Sequence, residues 1–338
     1  MSVLSYAAAQ GYIRARLSRL LDAGTWAQLL ETDSLMQLDE VLAGTSAASA
    51  IGPNGSLRVQ NLRGESAAAG RSVARFLPRQ SRALVVWYTE RLTVENLKTV
   101  LRAVHYRLDR SRVLSSLIPI RPAHWRWEEL LEAESVESVI ERIRDSPFAR
   151  PLEHAMERYR QEGRLFYPEV ALDLFYFQQL VRLIEAQSGA DKDDARQFLG
   201  HWIAVQNLLW AYRYKVYGAM TAEEIINYTL HRAFAAGLDA LRRVVLGSPL
   251  RVEVERLGFH LGADVPEAQG LTEIEFQCER QRFERATMAM DRPISRLGGV
   301  LGYLWLFEGE IHDLTVIVEG KTTGLSAMEI ARRLLRAA

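Results

Sequence analysis

The feature that most constrains this chain is a helical hairpin written more than once. Asn207 is followed after eight and eleven residues by Lys215 and Gly218, and Asp313 is followed at the same distances by Lys321 and Gly324. Each glycine leads into a small polar residue, an acid and an apolar helix: Thr221, Glu223 and Ile225 in one case, Ser326, Glu329 and Ile330 in the other. A third segment shares the beginning of the pattern. Glu95-Asn96-Leu97-Lys98 with Arg102 stands beside Gln206-Asn207-Leu208-Leu209 with Arg213 and His312-Asp313-Leu314-Thr315 with Glu319. The signature positions are 111 and 106 residues apart. A solenoid repeat runs to about 20–50 residues, so these units are the size of small domains. Three of them fill the chain, with expected bounds of 1–120, 121–230 and 231–338.

The residue types say what the repeat is for. Asn or Asp on a helix can hydrogen-bond locally or across to a neighbour. Gly218 and Gly324 suit the position after a last helical turn, where a left-handed residue closes the helix, and Thr221 and Ser326 suit the N-cap of the next one. Asn96, Arg102, Asn207, Arg213, Lys215, Gly218, Asp313, Lys321 and Gly324 are therefore expected to be structural, and duplication by itself indicates no activity.

The fold class expected is all-α. Val94, Leu97, Leu101, Val104 and Leu108 step by three and four residues and place one apolar stripe on one helix face, with Thr93 as its expected N-cap. Breaks are expected over Gly44 to Ser56, which holds the Asn54-Gly55 turn signal, at Pro119 and Pro122, over Pro147 to Pro151, at Gly247-Ser248-Pro249, and over Gly262 to Gly270 with Pro266. Ala83–Tyr88 and Leu314–Val318 are rich enough in β-branched and aromatic residues to suit strands. They have no hairpin turns beside them and are read as helix.

Composition removes several functions. There are 42 basic and 42 acidic residues, without the basic excess through which nucleic-acid binders neutralise phosphate. The single cysteine, Cys278, rules out a disulfide framework and a multi-cysteine metal site, fits a reducing cytoplasmic setting, and is read as incidental. The start of the chain does not have the pattern of a signal peptide. The longest apolar run, Gly298 to Phe307, is too short for the ~20 residues of a spanning helix.

Catalytic motifs are weak. Gly320-Lys321-Thr322 follows an apolar segment and precedes a helix, as in a phosphate-binding loop. The glycine required five positions earlier is Thr315, and Glu319 would repel phosphate. Gly298-Gly299-Val300-Leu301-Gly302 has no strand before it and is read as close packing or a helix start. The seven histidines, His105, His124, His154, His201, His231, His260 and His312, contain no pair at helical metal-ligand spacing. Glu128-Glu129 and Asp193-Asp194 are read as solvated charges, with Asp191 to Asp194 near a helix start. Phe166, Tyr167, Phe175, Tyr176 and Phe177 are read as core or partner contacts.

Taken in order, several of these motifs resemble the C subunit of the archaeal and vacuolar-type ATPases, the counterpart of the eukaryotic d subunit. Tyr12-Ile13-Arg14-Ala15-Arg16 looks like that family's opening motif, and Val94-Glu95-Asn96-Leu97-Lys98-Thr99 with Leu101-Arg102 looks like its first signature helix. Glu169-Val170-Ala171-Leu172-Asp173 with Tyr176 resembles the opening of its middle unit, and Glu319-Gly320-Lys321 with Gly324-Leu325-Ser326 and Glu329-Ile330 resembles its ending. The chain departs from the family pattern at Asp313 and Thr315. The resemblance implies three similar helical domains in a funnel-shaped, pseudo-threefold arrangement. It implies a non-catalytic central-rotor subunit, a socket that couples the central-shaft subunits of the ATP-driven head to the membrane rotor ring for proton or sodium transport. It implies no cofactor, no nucleic acid, no small-molecule substrate and no direct membrane span, with a cytoplasmic position peripheral to the membrane through the rotor ring. The alternatives are a helical scaffold unrelated to ATPases and, through Gly320-Lys321-Thr322, an enzyme.

Overall fold

The computed structural model describes residues 6–51, 59–121, 124–218, 220–231, 234–262, 270–291 and 293–336. Asn54-Gly55, Pro122 and most of the 262–270 loop, with Pro266, lie outside the described residues. The architecture is all-α, and no β-strand occurs among the described residues. The first third holds α1 (Ala7–Leu17), α2 (Ala23–Glu31), α3 (Leu35–Ala43), α4 (Val59–Ala74), α5 (Arg79–Thr89), α6 (Arg91–Tyr106) and α7 (Arg110–Ser116). The middle holds α8 (Trp127–Leu131), α9 (Val136–Arg142), α10 (Ala149–Glu162), α11 (Phe166–Glu185), α12 (Gly189–Ala195), α13 (His201–Val216) and α14 (Ala222–Asn227). The last holds α15 (Leu238–Leu246), α16 (Leu250–Arg256), α17 (Gly270–Met290), α18 (Leu297–Thr322) and α19 (Ala327–Ala331).

Both ambiguous segments are helical, Ala83–Tyr88 in α5 and Leu314–Val318 in α18. The stripe expected on α6 is buried at Val94, Leu97, Leu101 and Val104. It ends there, because Arg107 turns left-handed (φ 51°) and Leu108 is exposed beyond it. Thr93 is not the N-cap. It lies inside α6, fully buried, and its hydroxyl donates to Glu90 Oε2 at 2.8 Å. The Pro147–Pro151 break is the start of α10, with Pro151 in the first turn, where a proline costs no helical hydrogen bond.

The long helices pack in a circuit. α5 and α6 pack on α11, α13 packs on α17, α17 on α18, α18 on α4, and α4 leads back to α5. Glycines let α18 approach its neighbours. A Cβ on Gly298 would lie 2.8 Å from Asp194 Oδ2, so the 298–302 stretch is both a helix start and a close contact. The aromatic run of α11 is mostly core: Trp87 stacks on Tyr176 and Phe148 at 6.1 and 5.9 Å, and the Tyr176 hydroxyl donates to the Tyr88 carbonyl at 3.1 Å.

Candidate functional site

The signature residues Asn96, Asn207 and Asp313 all lie on the buried face of a long helix and make the same kind of contact. Asn96 Nδ2 donates to the Ile118 carbonyl and Asn96 Oδ1 accepts the Ile118 N–H, both at 2.9 Å. Asn207 pairs in the same way with Leu230, at 2.9 and 2.7 Å, and Nδ2 also donates to the Ala236 carbonyl at 2.9 Å. Asp313 Oδ1 accepts the Leu335 N–H at 2.8 Å. Each ties a helix to backbone 22 or 23 residues further on. A carboxylate has no donor to offer, so the third clamp is completed differently. Arg336 Nε donates to Asp313 Oδ2 at 2.7 Å, and the Arg336 guanidinium stacks on Trp26 at 3.6 Å.

The other signature residues hold joints between helices. Arg102 grips Glu169 on α11 through two bonds of 2.6 and 2.7 Å, and Arg213 reaches Glu275 on α17 at 2.6 Å. Glu319 stands at the corresponding place in the third segment and has no ion pair among the described residues. Lys215 Nζ donates to the Val244 carbonyl at 3.0 Å, and Lys321 Nζ donates to the carbonyls of Leu30 and Thr32. Both lysines thus reach carbonyls at the C-terminal end of a short neighbouring helix, where positive charge is favoured.

Gly324 is left-handed (φ 74°), as expected. Gly218 is not among the positive-φ glycines, and its constraint is closeness: a Cβ there would lie 2.7 Å from the Tyr214 carbonyl oxygen. The equivalent place in the first segment belongs to Arg107, which adopts the left-handed conformation without being glycine. Its spacing of eleven from Asn96 was the signal for it. Thr221 and Ser326 form capping boxes with Glu224 and Glu329.

Gly320-Lys321-Thr322 is the last turn of α18, not a loop after a strand. Lys321 is engaged by α2, and Gly320 makes room for Ile330, whose Cγ1 would meet a Cβ at 2.6 Å. No phosphate cradle can form there without dismantling that packing. Of the pair read as solvated, Asp193 is exposed but Asp194 is not. Asp194 and Asp191 are buried, and they accept the first two N–H groups of α18, from Gly298 at 2.8 Å and Leu297 at 3.0 Å. The partner is about a hundred residues away, which is why local spacing did not reveal it. Glu128 and Glu129 are exposed. Among the described residues no three His, Cys, Asp or Glu side chains are grouped to hold a metal. Cys278 is buried in α17, and burial pushes its thiol up to about 12, far from a reactive thiolate.

One cavity, of about 820 Å³, is bordered by long helices from all three segments of the chain. Arg63, Arg91 and Leu92 come from the first, Trp202 and Gln206 from the second, and Arg282, Trp305, Glu308, His312 and Glu319 from the third. Its wall is charged and aromatic. Arg91 bonds Glu308 at 2.5 Å, and the Tyr88 hydroxyl donates to the same carboxylate at 2.8 Å. The Arg282 guanidinium lies over Trp305 at 4.1 Å and Trp202 at 5.2 Å, and it also bonds Glu279. Burial pushes the Tyr88 hydroxyl up and the Glu308 charge adds to it. Burial is the largest influence on Arg91 and opposes its charge, but Glu308, Tyr88, Glu95 and Tyr176 together outweigh it and hold the guanidinium above its ordinary value. Arg91 Nε, Arg282 Nε and Trp305 Nε1 have no acceptor among the described residues. Nothing here resembles a nucleophile with its base. The arrangement is a recess where the circuit of helices meets, its wall mixing these charged and aromatic side chains with apolar ones such as Ile311 and Val316.

No helix among the described residues is long and apolar enough to cross a membrane. The model of the ATP synthase (C/AC39) subunit family matches residues 9–333. The chain is similar to the A-type ATP synthase C subunit of Methanocaldococcus jannaschii, 23% identical, with 98% of this chain and 86% of the relative covered. It is similar to that of Methanosphaera stadtmanae, 23% identical over 99% of this chain and 89% of the relative. With that of Halorubrum lacusprofundi it is 27% identical over 75% and 73% of the two chains.

Proposed function

The chain belongs to the ATP synthase (C/AC39) subunit family, and on that premise we propose that it is a non-catalytic coupling subunit of a rotary ATPase. Its partners are the central-shaft subunits of the head and the membrane rotor ring. The cavity bordered by all three segments receives the end of the shaft, and another face rests on the ring. The three helical units form a funnel-shaped body with pseudo-threefold order, and Asn96, Arg102, Asn207, Arg213, Lys215, Gly218, Asp313, Lys321 and Gly324 hold its joints. The protein needs no cofactor and no small-molecule substrate, and lies on the cytoplasmic side, peripheral to the membrane through the ring.

The observation that carries this reading is the family match along nearly the whole chain, 9–333. The cavity supports it. A torque-bearing socket requires rigid walls, and packed helices tied by buried side-chain clamps supply them. The test is reconstitution. The purified chain should bind its own shaft subunits and its own rotor ring, and its removal should leave ATP hydrolysis by the head running without ion pumping. If it binds neither partner, the proposal fails. The scaffold alternative loses its basis with family membership, and the enzyme alternative with the engagement of Lys321 by α2.

A further inference from the structure

We propose that α2 and α3 are the capping pair of the third helical unit, carried at the opposite end of the chain, so that this unit is closed non-covalently where the two chain ends meet. The first signature helix, α6, is covered by the short helices α8 and α9, and the second, α13, by α15 and α16. Both pairs follow their signature helix in sequence. After the third signature helix, α18, the described chain contains only α19. The place of a capping pair is taken by α2, which packs on α19, and α3, which packs on α18.

The sequences of the pairs agree. Trp26, Leu29, Leu30, Glu31, Ser34 and Leu38 match Trp127, Leu130, Leu131, Glu132, Ser135 and Val139 at a constant offset of 101 residues. Ser34 and Ser135 are both N-caps of the second helix, accepting backbone N–H groups at 3.3 and 3.2 Å. Trp26 and Trp127 are both buried. The fastening agrees as well. Lys321 of α18 occupies the terminal carbonyls of α2 as Lys215 of α13 occupies that of α15, and the two lysines hold the same place in the repeat. Two further ties join the chain ends: Arg336 stacked on Trp26, and Glu310 Oε2 accepting the Leu21 N–H at 2.8 Å.

Closure of the third unit therefore depends on an association within one chain that has the character of a binding interface. The N-terminal pair belongs energetically with α18 and α19 rather than with α4 to α6, which it adjoins in sequence. The test is native-state hydrogen exchange on the full chain in a urea series, read by mass spectrometry. Amides of α2 and α3 should lose protection in one step with those of α19 and the end of α18, and separately from α6 to α9. Lys321→Met should speed exchange of α2 and α3 at least tenfold without moving α15 and α16. Lys215→Met should do the reverse. Trp26→Ala should act as Lys321→Met does, and if that variant fails to fold the lysine pair still decides. Exchange of α2 and α3 in step with α4 to α6, or indifference of α2 and α3 to Lys321→Met, would overturn the proposal.

Discussion

Single residues carry the plainest consequences of the repeat. The position eleven residues after the signature is Gly324 in the third segment and Arg107 in the first, and both are left-handed. A side chain there meets its own backbone, at about 1–2 kcal/mol. Glycine relieves that contact while losing some entropy on folding. Arg107→Gly should therefore stabilise the chain by about 1 kcal/mol, and Gly324→Ala should destabilise it by about as much, both measured by urea denaturation. Glu310 gives a pH dependence. Burial raises its carboxyl from 4.5 to about 7. The folded chain then binds a proton at pH values where the unfolded chain has released it, so this group favours folding in acid. Its contribution is complete below 4.5, declines as pH rises towards about 7, and is flat above. Glu310→Gln keeps an acceptor for the Leu21 N–H, and should flatten this slope and raise stability at pH 8, by at most about 3 kcal/mol. Thermal unfolding between pH 4.5 and 8 checks it. A slope unchanged in Glu310→Gln would remove the carboxyl as its cause.

At the scale of elements, the clamp determines how a long helix holds the segment after it. Asn207 serves three backbone groups at once, and all are buried. Alanine would leave the Leu230 N–H and two carbonyls without partners, at about 1–3 kcal/mol for each unsatisfied group. Asn207→Asp should be no better, because a carboxylate cannot donate to the Leu230 and Ala236 carbonyls, and no arginine among the described residues bonds Asn207 as Arg336 bonds Asp313. Chemical denaturation should place both variants at least 2 kcal/mol below the parent. Long helices and caps were legible in the sequence, because periodicity, glycine and Ser or Thr are local signals. Thr93 shows how a local signal misleads: Glu90 starts the helix earlier and Thr93 is drawn inside to donate to it. Asp191 and Asp194 show the opposite failure, since the N–H groups that explain their burial belong to α18. The likeness of α2–α3 to α8–α9 was present in the residues. It has its own offset, 101 residues, and so falls out of step with the asparagine spacings that reveal the long helices.

At the scale of the whole molecule, the helices have to be stiff enough to leave a recess where they meet. Side chains on that wall divide into those that hold the fold and those that only border the space. Arg91, Glu308 and Arg282 are the first kind, Arg91 bound to Glu308 and Arg282 to Glu279 and the neighbouring tryptophans, so their loss would confuse stability with binding. Gln206 and Thr315 are the second kind. Each borders the cavity and is half-buried, and Thr315 only returns a bond to its own helix, at 2.7 Å to the Ile311 carbonyl. A tryptophan at either place would fill part of the cavity at little cost to helix packing. If the recess receives the shaft, Gln206→Trp and Thr315→Trp should weaken shaft binding at least tenfold, because an interface centre tolerates little misfit. Rotor-ring binding should be unchanged. The reconstituted motor should hydrolyse ATP with less ion transport per ATP, and thermal unfolding should stay within about 2 °C. A third tryptophan, at exposed Glu157 on the outer face of α10, controls for added apolar surface. If the two cavity variants bind the shaft like the parent, the shaft contacts another face of the molecule, whatever family membership implies about the partners.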